Sequence, residues 1–117
     1  MTLIAKVLLE ILSRRCVGRA NAVRRFVLLE AIRQMNDMED VTDSEMRSAK
    51  EELIEGGVPV GSDLTGYWLI QTEDEAQRAA AFLDERAKDM LHKAALLRRA
   101  GERIAERNRG QQQMVFT

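Results

Sequence analysis

The sequence predicts a mostly α protein: three helices, a two-stranded hairpin, then one long C-terminal helix. Three observations carry that reading. Apolar residues recur twice at helical spacing before residue 36. A self-capped helix after Thr42 ends in Gly56-Gly57 and feeds Val58-Pro59-Val60-Gly61, a polar turn and Gly66-Tyr67-Trp68-Leu69-Ile70. A seven-residue apolar repeat then runs from Ala76 to Ile104 without a proline.

In the first helix Leu3, Ile4, Val7, Leu8, Ile11 and Leu12 form a broad stripe for burial. Arg14 and Arg15 close it where cations favour the helix dipole, and Gly18 helps to end it. Asn21 is placed to cap a second helix whose inward face is Val23, Phe26, Val27, Leu28, Ala31, Ile32 and Met35. An acidic connection runs from Asn36 to Val41. Thr42-Asp43-Ser44-Glu45 then reads as a capping box, Thr42 capping and Glu45 reaching back. The third helix turns Met46, Ala49, Leu53 and Ile54 inward.

Pro59 suits an edge strand, and Ser62, Asp63, Leu64 and Thr65 form the turn of the hairpin. Gly66 supplies dihedrals that other residues resist. Strand alternation sends one of Tyr67 and Trp68 to the core and the other to the rim. Trp68 is expected chiefly as packing.

Thr72-Glu73-Asp74-Glu75 is a second capping box and opens the long helix. Its heptad seam has a large row, Leu83, Met90, Leu97 and Ile104, and a small row, Ala80, Ala87, Ala94 and Gly101. A helix of about 35 residues would be roughly 50 Å long, more than a small domain covers. A second copy of the chain is therefore expected along the seam. Acidic residues crowd the start of the helix and basic ones its distal half, which favours an antiparallel homodimer. The divisions are 1–71 for the three-helix and hairpin domain, 72–109 for the long helix and 110–117 for a flexible tail.

With 117 residues, the chain fits one small domain plus one extension. A single cysteine, Cys16, cannot form an internal disulfide, so a reducing cytoplasm is expected. No apolar run has the roughly 20 residues that span a bilayer. The net charge of −1 hides a partition. Residues 1–35 carry seven basic against two acidic side chains, residues 36–75 two against twelve, and residues 76–117 nine against five. An anionic partner must meet the first or the third block. His92 has no cysteine or carboxylate at ligand spacing, and no nucleophile, acid/base pair or phosphate loop is apparent. No enzyme, cofactor or metal is expected.

Three helices and a returning hairpin are the layout of a winged helix-turn-helix. The segments Gly-Arg-Ala-Asn-Ala-Val, Thr-Asp-Ser-Glu-Met-Arg, Gly57-Val58-Pro59-Val60-Gly61-Ser62 and Gly66-Tyr67-Trp68 resemble winged-helix proteins encoded by phages and prophages. In that group a recognition helix precedes a Gly-x-Pro-Ile-x-Ser strand and a Gly-Tyr-Trp return strand. The resemblance covers roughly residues 18–100. It implies a DNA-binding protein in transcriptional regulation or replication, with Ser44, Arg47 and Ser48 on the outward face of the recognition helix. Ser62 joins them as a candidate DNA contact. The third helix departs from that pattern, because Arg47 and Lys50 face five acidic residues between Asp43 and Glu55.

Arg14, Arg15, Arg19, Arg24 and Arg25 gather in sequence around the first inter-helix loop, as candidate contacts to duplex-DNA phosphates or as an ordinary solvated surface. Arg47 suits a bidentate contact to guanine, its rival partner being Glu51 four residues on. Cys16 lies in a basic stretch that could lower its pKa. In the tail, Gln111, Met114 and Phe116 resemble short C-terminal peptides that bind the bacterial sliding clamp. The alternative to DNA binding is a protein–protein adaptor that uses the acidic third helix and the long helix.

Overall fold

A computed structural model describes the backbone of residues 1–116 and the side chains of residues 1–111. Among them the order is α1 (Leu3–Arg15), a 3₁₀ turn (Arg19–Asn21), α2 (Arg25–Arg33), α3 (Asp43–Glu55), β1 (Val60–Asp63), β2 (Gly66–Leu69) and α4 (Glu73–Phe116). The chain is thus mostly helical with one antiparallel hairpin and a long C-terminal helix. It divides into two compact units, Met1–Ala81 and a second beginning at Phe82. The first unit takes in the opening turns of α4, past the boundary expected at residue 71.

In the first unit α1 packs chiefly against α3. Thr2 caps α1 by accepting from the Ala5 N–H at 3.1 Å, and Ala5, Leu8, Ile11 and Leu12 are buried. Leu3, expected inside, is exposed at the first turn, while Ala5 takes the inward position.

The start of α2 differs from the sequence expectation. Asn21 does not cap it. Its side chain donates to the Val17 carbonyl at 2.9 Å within the 3₁₀ turn, and α2 begins four residues later behind Arg24 with no side-chain cap. The cause is Val23, which exchanges backbone hydrogen bonds of 3.0 and 2.9 Å with Tyr67 and so extends as a strand-like rung. A helix of nine residues then buries one stripe, Leu28, Leu29 and Ile32. Phe26 and Val27 fall on the opposite side and are exposed, Phe26 by 65%. Met35 lies beyond the helix end and is also exposed.

The connection after α2 carries two core residues that the sequence does not announce, Met38 and Val41. The Arg33 Nε–H donates to the Val41 carbonyl at 2.8 Å and closes the loop. At α3 the capping box is complete: Glu45 N–H to Thr42 Oγ1 and Thr42 N–H to Glu45 Oε1, both 3.1 Å. Met46, Ala49 and Leu53 are buried as expected, but Ile54 sits at the edge of the stripe and is exposed. The helix ends in a paired cap, Val58 N–H to Leu53 carbonyl at 2.8 Å and Gly57 N–H to Ile54 carbonyl at 3.0 Å, with Gly57 at φ 90°.

Pro59 precedes β1 instead of lying in it, and Ser62 and Asp63 belong to the strand, leaving Leu64-Thr65 as the turn. The register pairs Gly61 with Trp68 and Ser62 with Tyr67. Tyr67 and Trp68 are both buried, so neither faces a rim. Alternation does send them to opposite faces, but both faces are covered. Tyr67 joins the helical core. The Trp68 indole lies on Gly61, where an added Cβ would meet it at 2.5 Å. Gly66 is needed for two reasons, φ 126° and a Cβ position 2.1 Å from the Val23 carbonyl oxygen. Gly66→Ala is expected to destabilise by about 2–4 kcal/mol, read as a lower denaturant midpoint at unchanged m-value.

The Thr72 hydroxyl caps α4 through the Glu75 N–H at 3.2 Å, but the expected box is only half formed. The Glu75 carboxylate instead accepts from the Gln71 N–H at 3.2 Å and the Arg19 N–H at 2.6 Å, tying the first turn of α4 to the 3₁₀ turn. In the second unit Leu83, Met90, Leu97 and Ile104 are all exposed, and nothing lies within 4 Å of a Cβ at Gly101. The helix continues past residue 109 to Phe116, through the stretch expected as a tail. One glycine, Gly110, costs about 1 kcal/mol relative to alanine, and the glutamines after it are good helix formers. The side chains of Met114 and Phe116 lie outside the described residues.

Candidate nucleic-acid interface

The five arginines of the first block do not form one cluster. Arg14 pairs with Glu10 at 2.8 Å and, with Arg15, lines a groove of about 250 Å³ against Ala31, Gln34 and Met35 at the far end of α2. Arg19 turns to the hairpin: its Nε and a terminal nitrogen sit 3.0 and 2.9 Å from Asp63 Oδ2, and its guanidinium lies 6.0 Å from the Trp68 ring centroid. Burial alone would raise the Asp63 carboxyl, but hydrogen bonds from Thr65 and Arg19 hold it below its ordinary value. Arg24 and Arg25 stand exposed at the start of α2.

Arg25 is joined to α3. Its Nε lies 3.0 Å from Asp43 Oδ1, while the Arg47 Nε lies 3.3 Å from Asp43 Oδ2. The helical partner of Arg47 is therefore Asp43, one turn before it, and not Glu51. Ser44, Arg47 and Ser48, which the resemblance puts on the outward face of α3, are exposed. Ser62 is half-buried, and the Lys50 ammonium of α3 approaches its hydroxyl at 3.4 Å while lying 5.0 Å from the Tyr67 ring centroid. Burial raises the Tyr67 phenol above its ordinary value. The phenol also feels Arg25 and Arg47, which lower it, and Asp43 and Glu51, which raise it. Asp43, Lys50 and Tyr67 thus belong to the site although sequence reasoning did not select them. The four-residue spacing of Asp43 and Arg47 was the one available signal.

Four of the five carboxylates of α3 have partners within the chain, although they remain at the surface. Asp43 is held between two guanidinium groups, Glu45 is half of the capping box, and Glu52 accepts from the Thr2 N–H and hydroxyl at 2.7 and 2.8 Å. Glu51 has Lys50 at 3.5 Å. The charge count of the helix alone overstates its acidity at the surface, because Arg25 adds a cation from α2.

Elsewhere, Phe26, Val27, Leu29 and Arg33 line an open groove of about 500 Å³ on α2. Cys16 is buried, and burial raises its thiol more than Arg15 lowers it, opposite to the shift its basic flank suggests. Among the described residues there is no group of three or more side chains suited to a metal ion, and no helix is long and apolar enough to cross a membrane. Comparison of the chain with family models, curated proteins and solved structures finds no match.

Proposed function

We propose that this chain is a non-enzymatic DNA-binding protein of winged helix-turn-helix type, with α3 as its recognition helix and the β1–β2 hairpin as its wing, acting in regulation or replication as in the phage proteins its hairpin segments resemble. The observation that carries this reading is the joining of Arg25 to Arg47 through Asp43. It brings cations of α2 and α3 to one exposed face, beside Ser44 and Ser48. Phosphates supply most of the affinity of such proteins, and side chains on an exposed helix read base edges. Arg24, Arg25 and Arg47 take the phosphate role in this account. Arg14 and Arg15 line a separate groove and Arg19 is held by Asp63, so all three are secondary.

Changing Arg24, Arg25 and Arg47 together to Ala is expected to weaken binding to every duplex sequence and to flatten the salt slope by about 0.9 per lost phosphate contact. Fluorescence anisotropy at several salt concentrations measures both, with circular dichroism to check the fold. Unchanged affinity in a folded variant removes DNA from this face. The second reading is a protein–protein adaptor that uses α3 and the long helix, and the exposed Phe26 and Val27 over the α2 groove add a further apolar surface for a partner. It predicts a partner whose binding is insensitive to salt.

A further inference from the structure

We propose that Arg25, Arg47 and the Tyr67 hydroxyl form a seat for a single phosphodiester, and that the Asp43 carboxylate occupies this seat when no nucleic acid is bound. This rests on the DNA-binding reading and names an element within it. Asp43 presents one oxygen to each guanidinium, Oδ1 to Arg25 at 3.0 Å and Oδ2 to Arg47 at 3.3 Å. Two oxygens shared between two guanidinium groups is the arrangement that the non-bridging oxygens of a phosphodiester offer. Both arginine side chains remain more than half exposed, 54% and 56%, so each is open to an incoming anion.

Tyr67 adds a neutral donor to the two guanidinium groups. Its residue is only 5% exposed and its ring carries the Lys50 ammonium at 5.0 Å from the centroid. Its hydroxyl stands in the field of Arg25, Arg47, Asp43 and Glu51, able to donate to a ligand oxygen. The opening of α2 beside Arg25 has no side-chain cap, so its dipole also favours an anion.

Asp43 is then an internal competitor. It holds the two arginines in place and weakens binding to any anion that cannot displace it. The test compares wild type with Asp43→Asn, alone and combined with Arg25→Ala and Arg47→Ala. Tyr67→Phe keeps the ring and removes the hydroxyl. Asp43→Asn should tighten binding to random duplex by about fivefold, the gain should vanish when both arginines are removed, and Tyr67→Phe should weaken binding about threefold at unchanged thermal stability. Inorganic phosphate is titrated in parallel against the Arg Nε–H resonances, and should shift those of Arg25 and Arg47 more in Asp43→Asn than in wild type. Duplex affinity unchanged by Asp43→Asn, or a gain that survives loss of both arginines, overturns the seat while leaving DNA binding through other cations intact. If no variant binds duplex but phosphate shifts the two arginines, the seat stands and the DNA reading falls. If neither probe registers, both fall.

Discussion

Trp68→Ala is expected to lower the unfolding free energy by about 3–5 kcal/mol, the range for removing a core aromatic without collapse of the site. Trp68 is 1% exposed and lies on Gly61 of the partner strand, so nothing larger than hydrogen is available there to fill the space. Strand β2 also holds the chain before α2: Leu69 N–H donates to the Cys16 carbonyl at 2.7 Å and the Gly18 N–H to the Leu69 carbonyl at 2.9 Å. Loosening Trp68 therefore loosens the strand that positions Val23 and, through it, the start of α2 with Arg24 and Arg25. Trp68→Phe should cost clearly less. It keeps an aromatic ring and deletes an indole N–H that is buried without a partner among the described residues, a group whose desolvation costs about 1–3 kcal/mol. Chemical denaturation of the three proteins measures this series. A loss below about 1 kcal/mol for Trp68→Ala would show that the indole does not support the hairpin.

The second large expected effect is association of two chains through α4. Leu83, Met90, Leu97 and Ile104 stand exposed in one row, and Leu97 is 73% exposed. Ala80, Ala87, Ala94 and Gly101 form a small row beside them, allowing two backbones to approach closely. Burying the four large side chains contributes roughly 6–12 kcal/mol before association entropy is subtracted. An antiparallel pair sets Glu73, Asp74, Glu75, Asp84 and Glu85 of one helix against the distal Arg98, Arg99, Arg103, Arg107 and Arg109 of the other. Sedimentation at tens of micromolar should therefore give a dimer for the wild type. It should give a monomer for Ala87→Glu combined with Ala94→Glu, which places charge on the small row. A monomeric wild type rejects the dimer, and a dimeric double variant rejects this seam.

What the sequence made legible was local. The Thr42–Glu45 box, the Gly56-Gly57 stop and the buried stripe of Met46, Ala49 and Leu53 are written within a few residues of one another, and all are present. What it concealed depends on partners far along the chain. Val23 extends because Tyr67 pairs with it, which displaces the start of α2 and turns Phe26 and Val27 outward. Glu75 leaves its own capping box half formed for an amide at Arg19. Met38 and Val41 sit in an acidic stretch with no periodicity to mark them as core. The site follows the same division. The outward placement of Arg47, Ser44 and Ser48 came from the resemblance, and all three are exposed. The grouping of Arg25 with Arg47, and the separation of Arg14 and Arg15 from both, depend on how α1, α2 and α3 pack.

The most direct test of the account is the binding of wild-type protein to random-sequence duplex DNA at 50 and 200 mM salt. Three phosphate contacts, by Arg24, Arg25 and Arg47, predict measurable binding at the lower concentration and a loss of about 40-fold at the higher. Absence of binding at 50 mM salt, or affinity that does not change between the two, would contradict DNA binding.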